Sequence, residues 1–591
     1  VFSSASFQPL QKINRRGRLA FFLLPLLFAG CGNKTSGPPP RYAYLNFENL
    51  TGDPSLDWTG RGTGEYLSRS LRANDVISSD AILRAGLTLG PRPASAPGGS
   101  SMQTAAEIGG ANRIISGYVE KASGGIRLTA SEEDASTHKT LRTVSVTAPS
   151  PFEAMNQLAH QFSPHPAAPP TLDAEAFRLY CNALQSVPAD ALPLLEQAVQ
   201  RDPSFGRAWV ALARTRAATG DRAGAERAIE DARSRQIAPI DRAWLDFEAA
   251  SMGSDRAATL NAMRKMSEFD SGDLSLARTL ATSETAAGNF SAAAAVWKKL
   301  TVTAPQDADA WNQLGYTLSW SGDYNGALAA VREYALLHPN EANPLDSQGD
   351  IQYWFGKFAD AAASYSAAYT KSPAFLNGGE MYKAAWAKFL SGDKAGADAT
   401  FARFKDAREK ANDPSINFVA ADWLYRTGRE KEARALLADS LKKEIQRPPT
   451  YRPTVSAEFA LWDLLAGDRA AAAKDLAEGN GMPGMTSGDI VVRFSALPSA
   501  TPSEWETRSA KYMAIPQLAA LRNSALGYAL ILDGKKEAAT PVWEEIVKQA
   551  AGNDFFPRNI LARLKNQRIE HTPPPDPINL NQFAPVLYKL Q

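Results

Sequence analysis

An interval of 34 residues governs the middle of this chain: Ala191, Ala225, Thr259, Ala293, Ala327 and Ala361 recur at that spacing. Glycine follows in the same register at Gly220, Gly288, Gly322 and Gly356, with Ser254 in the remaining slot. Proline recurs at Pro203, Pro305, Pro339 and Pro373. Trp209 and Trp311 hold a shared large position, and Leu212, Leu280 and Leu314 hold the place three later. Each class has a physical task. The small residue lets two helices approach closely, glycine takes the turn between them, and the aromatic fills the gap between neighbouring hairpins. A unit of this length is one helical hairpin. It cannot bury its apolar face alone, so such units stack into a solenoid.

The period and its residue classes resemble the tetratricopeptide repeat. The register loosens later, with Gly392 and Gly428 each 36 residues after the preceding turn glycine, and Gly467 a further 39 on. Ala397, Ala433 and Ala472 keep step. Met482 to Trp505 breaks the pattern, and one more hairpin reappears with Leu526, Gly527, Gly534, Ala539 and Trp543. The expectation is an all-α superhelical solenoid over 171–569 with about nine or ten hairpins, irregular near 482–505, then a tail over 570–591.

The resemblance implies that fixed positions of each first helix face the concave side. With Trp311 as the large position, these include Asn312, Tyr316, Ser319 and Trp320. The next repeat gives Asp346, Asp350, Tyr353 and Trp354, and the following one Trp386. Earlier repeats supply Arg207, Arg214 and Arg278, so the groove is expected to grade from basic to aromatic and acidic. An aromatic groove suits an extended peptide or an amphipathic helix. The alternative is that Trp320 and Trp354 pack between hairpins as repeat core. The Lys/Asn pattern of carboxylate-clamp repeats is absent at these positions. Cys181 shares a helix face with Phe177, Tyr180 and Leu184, which reads as buried packing.

The first residues read as an address. Lys12, Arg15, Arg16 and Arg18 precede an apolar run from Leu19 to Ala29. That run is shorter than the roughly 20 residues of a membrane-spanning helix and fits a signal-peptide core over 1–30. It ends at Phe28, Ala29, Gly30 and Cys31, which resembles the bacterial lipoprotein lipobox, with Phe28 where Leu is usual. The resemblance implies lipidation at Cys31. Gly32, where Asp would signal inner-membrane retention, favours the outer membrane facing the periplasm. Residues 31–41, rich in Pro and Gly, read as a flexible tether. Val1 reads as a literally translated alternative start codon.

Over 42–165 the pattern predicts a small α+β domain in the order β-α-β-α-β-β-β-α. Its segment Phe47 to Pro54 (FENLTGDP) resembles the opening of TolB amino-terminal-like domains. Ile108-Gly109, Ile114 to Gly117 and Ile126 to Ala130 follow in that family's order. The resemblance implies an interaction or sensing module without catalytic residues. Gly60, Gly62 and Gly64 are too far from the first strand for a dinucleotide loop and read as a glycine-tolerant helix start. Glu132, Glu133 and Asp134 read as a solvated hairpin tip.

Composition narrows the function. With 64 Lys+Arg against 63 Asp+Glu, no basic excess marks a nucleic-acid partner. Two cysteines and five histidines, none at helical metal spacing, indicate neither a disulfide scaffold nor a metal site. No phosphate-loop or nucleophile-elbow motif occurs. The expected protein is a non-enzymatic, lipid-anchored scaffold of the bacterial envelope with a protein or peptide partner and no cofactor. The alternatives are a sensory module working with a separate effector, and an accessory protein of envelope transport or secretion.

Overall fold

The structure, a computed structural model, describes residues 40–71, 76–77, 82, 101–253, 255–269, 272–442, 451–478, 491–493, 495 and 522–567. Cys31, most of the tether, nearly all of the irregular stretch 482–505 and the tail 570–591 lie outside the described residues.

The sheet opens with β1 (Tyr42–Tyr44), β2 (Glu48–Asn49) and β3 (Val76–Ile77). Three long strands follow: β4 (Arg113–Ala122), β5 (Gly125–Asp134) and β6 (Lys139–Ala148). The spatial order is β3-β1-β4-β5-β6, with β2 also on β4. The short strands pair in parallel and the long ones antiparallel. β1 ends at Tyr44, and beyond it the Phe47 N–H turns away from the sheet and donates to the Gly60 carbonyl at 2.9 Å. Gly60 lies inside helix α1 (Trp58–Ser70). A Cβ there would strike the Phe47 carbonyl, and one at Gly64 would sit 2.9 Å from the Leu45 carbonyl. The glycine series therefore seats a helix directly on a strand. FENLTGDP is a self-bonded loop: the Asn49 amide donates to Asp57 at 2.6 Å and to the Asp53 carbonyl at 3.0 Å. Helices α2 (Ser101–Ile108) and α3 (Pro151–Phe162) complete this part.

Glu132 corrects the expected solvated tip. It lies within β5 and is buried, with Arg142 Nε donating to it at 2.6 Å. Asp134 closes the turn instead, and hydrogen bonds from Ser136 and Thr137, with Arg113 beside it, pull its carboxyl down to about 2.

Ten helical hairpins follow among the described residues. The first three are Ala174–Ala183 with Pro188–Arg201, Gly206–Ala218 with Arg222–Arg233, and Pro239–Met252 with Arg256–Phe269. The fourth to sixth are Leu274–Ala286 with Phe290–Thr303, Ala308–Trp320 with Tyr324–Leu337, and Asn343–Trp354 with Phe358–Lys371. The seventh to ninth are Gly379–Leu390 with Lys394–Lys410, Ile416–Arg426 with Glu430–Lys442, and Tyr451–Ala466 with Arg469–Glu478. The tenth is Arg522–Leu532 with Lys536–Gln549, and Phe555–Leu564 comes after it.

The repeat classes do what their chemistry suggests. The turn glycines from Gly220 to Gly534 take positive φ, between 70° and 93°. Asp221, Asp323 and Asp393 directly after them cap the second helices by accepting a backbone N–H. Ala225, Ala293, Ala327 and Ala361 are fully buried. Trp209 and Trp311 donate from Nε1 to the carbonyls of Pro203 and Pro305, both at 3.0 Å, which couples the tryptophan and proline of each repeat. The two 36-residue intervals also have a cause. A short turn at Phe375–Gly378 is inserted before the seventh hairpin, and that hairpin's second helix runs to 17 residues.

The sheet domain and the solenoid share one core. The Phe177 ring meets Trp58, Tyr66 and Phe152 at 6.3, 6.0 and 5.8 Å. Arg69 bonds Asp241 of the third hairpin at 2.8 Å, and Arg41 donates to the Gly272 carbonyl beside the fourth. The segment around residues 165–170 thus connects two parts in contact rather than separating them.

Candidate functional site

The predicted groove residues lie on the first helices of the fifth to seventh hairpins, and one register explains their meeting. Asn312, Asp346 and Glu380 fall 34 residues apart on successive first helices, as do Tyr316 and Asp350. The Tyr316 hydroxyl donates to Asp350 at 2.9 Å, and the Tyr365 hydroxyl donates to the other Asp350 oxygen at 2.8 Å. Lys383 donates to both Asp346 oxygens at 3.0 Å and to Asp350 at 2.9 Å. Glu380 is fully buried, and neither of its carboxylate oxygens has a hydrogen-bond partner.

Two carboxylates, Asp346 and Asp350, therefore share one ammonium inside the protein, with Glu380 buried on the same helix as Lys383. Burial, then the charge of Asp350, pushes Asp346 up to about 7 against the pull of Lys383. Burial pushes Glu380 up to about 7 as well. Burial opposes the Lys383 charge, but Asp350 and Asp346 outweigh it and hold the ammonium above its ordinary range. Burial and the neighbouring aspartates raise the Tyr316 and Tyr365 hydroxyls.

Several expected surface residues prove internal. Asp346, Tyr353, Trp354 and Trp386 are 4, 5, 8 and 3 % exposed. The Tyr353 ring packs against Phe358 of its own hairpin, 5.2 Å away. Trp386 lies 4.7 Å from Trp423, under the Arg426 guanidinium at 4.2 Å. Repeat packing claims both, so they do not line an open groove. The expected basic end is neutralised too. Arg214 pairs with Glu248 at 2.7 Å, Arg278 with Asp307 and Asp309, and Arg207 and Arg214 lie over the Trp244 ring.

Trp320 and Trp354 have a different role. Together with Phe290 they surround the ring of Phe555, at 6.3, 4.5 and 5.8 Å. Tyr316 stacks behind Trp320 at 5.6 Å. The Gly552 N–H donates to the Ala286 carbonyl at 2.6 Å beside this seat. An open cavity of about 1110 Å³ adjoins the contact, lined in part by Arg256, Arg264, Asn289 and Arg558.

Sequence reasoning missed Lys383, Glu380 and Phe555. Lys383 had a readable signal: it occupies the place held by Gly315 and Gly349 in the preceding repeats. A Cβ at Gly349 would meet the Tyr365 ring at 2.6 Å, so a long cation at that register is anomalous. Phe555 carried no signal, because its partners lie in distant hairpins.

Residues 185–236 match the tetratricopeptide repeat family. The helical run is a tetratricopeptide-type solenoid. Among solved structures, MamA protein is 17% identical with a TM-score of 0.25, over 29% of this chain and 93% of that one. The C-terminal part of a tetratricopeptide repeat-containing protein from Cytophaga hutchinsonii is 17% identical with a TM-score of 0.29, over 39% and 92%. The TPR2AB domain of yeast Sti1, in a complex with pHSP90, is 15% identical with a TM-score of 0.18, over 37% and 96%. A search of curated protein sequences returns no match.

Proposed function

We propose that the chain is a non-enzymatic scaffold of the bacterial cell envelope, anchored by lipid on Cys31, that binds protein or peptide partners through its repeats. The anchor reading rests on the cationic stretch from Lys12 to Arg18, the apolar run from Leu19 to Ala29, and Ala29-Gly30 directly before Cys31. Gly32 favours the outer membrane, facing the periplasm. The small domain, through its TolB amino-terminal-like segment, adds a second interaction module.

One observation carries the scaffold reading. Trp320 and Trp354 grip the ring of Phe555, a residue remote in sequence, on the first-helix side of the repeats. A surface that holds one aromatic segment has the chemistry to hold another, and aromatic anchors dominate such contacts.

Two measurements test the proposal. Cys31→Ser is expected to leave the protein unprocessed or release it from membranes. If the variant still fractionates with membranes, processed at the same site, the anchor is wrong. A photocrosslinking amino acid at half-buried Asn312 is expected to join the anchored protein to a partner in membrane preparations. Failure to join any protein there, with the solenoid folded, removes the groove from the reading.

A further inference from the structure

Phe555 reaches its seat from beyond the tenth hairpin, whereas the seat belongs to the fourth, fifth and sixth. A solenoid needs contacts only between neighbouring repeats. This one is additional, and its features are those of a bound ligand. An aromatic ring enters between two tryptophans. A backbone N–H, from Gly552, docks on the Ala286 carbonyl. Gly552 lies against Gly288, and a Cβ on Gly552 would run into the Gly288 backbone. Gly288 itself sits at φ 80°, the left-handed turn of the fourth hairpin, so the repeat turn supplies half of the close approach. A short segment thus meets three requirements at once: no side chain at one position, a free backbone N–H there, and an aromatic ring three positions later.

We propose that the seat of Phe290, Trp320 and Trp354 is a recognition site for segments with an aromatic residue three places after a glycine, and that Gly552–Phe555 fills it in cis. This rests on the scaffold reading and adds to it the motif a partner must carry and the strap it must displace. A tethered segment competes at an effective concentration of about millimolar, so a partner in trans gains access only when the strap is out.

The test uses the full chain and a fluorescein-labelled synthetic peptide of residues 551–567, read by polarisation. Phe555→Ala is expected to bind the peptide at least about tenfold more tightly than the wild-type chain, because its own strap no longer holds the seat. Gly552→Val in the chain should do the same by levering the strap from Gly288, and it serves if Phe555→Ala fails to fold. A peptide in which alanine replaces Phe555 should lose at least about tenfold in affinity for either variant. Equal peptide binding by wild type and a folded strap variant overturns cis occupancy. Indifference to the peptide's aromatic residue overturns the seat. Crosslinked partners at Asn312 in a chain whose seat ignores the peptide would leave the scaffold reading standing and remove this one.

Discussion

Phe177 in the first hairpin and Lys383 in the seventh both project from first helices into sealed surroundings, yet they meet opposite chemistry. Phe177 is enclosed by Trp58, Tyr66, Phe152 and Phe205, and its neighbourhood is continuous with the core of the sheet domain. Lys383 is enclosed by Asp346 and Asp350, with Tyr365 below it at 5.3 Å and Glu380 on the same helix. The repeat backbone is common to both. The apolar site gains from burial without directional demands. The charged site must satisfy every donor and acceptor, and Glu380 shows that it does not. Stability at the first site should therefore be indifferent to pH, and at the second it should not.

Phe177→Ala should have the largest effect, a loss of about 3–5 kcal/mol in urea denaturation, because a fully buried ring leaves a cavity. Hydrogen exchange should rise together in Trp58–Ser70 and Ala174–Ala183, since the ring joins the two. Exchange confined to one of them would separate the sheet domain from the solenoid.

Lys383→Ala comes next, with an expected loss of about 3 kcal/mol at pH 8, where it leaves buried carboxylates uncompensated. The loss should shrink at pH 5, because Asp346 and Glu380, both raised to about 7, then carry protons. A loss independent of pH would mean that Lys383 acts by packing alone.

Glu380→Gln should have the smallest effect, and a stabilising one. The folded-state pKa of Glu380 lies above its unfolded value, so the folded state binds more protons between about 4.5 and about 7. Its contribution is fully present at low pH and is lost as pH rises through that window. The variant should match wild type near pH 4 and exceed it by on the order of 1–2 kcal/mol at pH 8. Parallel stability curves across this range would show that Glu380 is not buried in solution as it is in the structure.

The hairpins were legible because their signals are local. Gly322 followed by Asp323 specifies a left-handed turn and a helix cap within two residues, and Ala327 specifies the close approach that follows. The groove was legible as a column of positions but not as an environment. Tyr353 and Trp386 shared the register of groove residues, yet Phe358 and Trp423 took them into the repeat core. Asp346 looked like a surface acid until Lys383 arrived from the next repeat.

The sequence by itself determined the helical solenoid, the small α+β domain before it, and the register that aligns Asn312, Asp346 and Glu380. These follow from turn chemistry and spacing within one or two repeats, where geometry is nearly fixed. Only the tertiary structure decided that Phe177 closes the sheet domain's core, that one ammonium serves two buried aspartates, and that Phe555 fills the seat between Trp320 and Trp354. Such contacts depend on small rotations accumulated from hairpin to hairpin, and no local pattern records that sum.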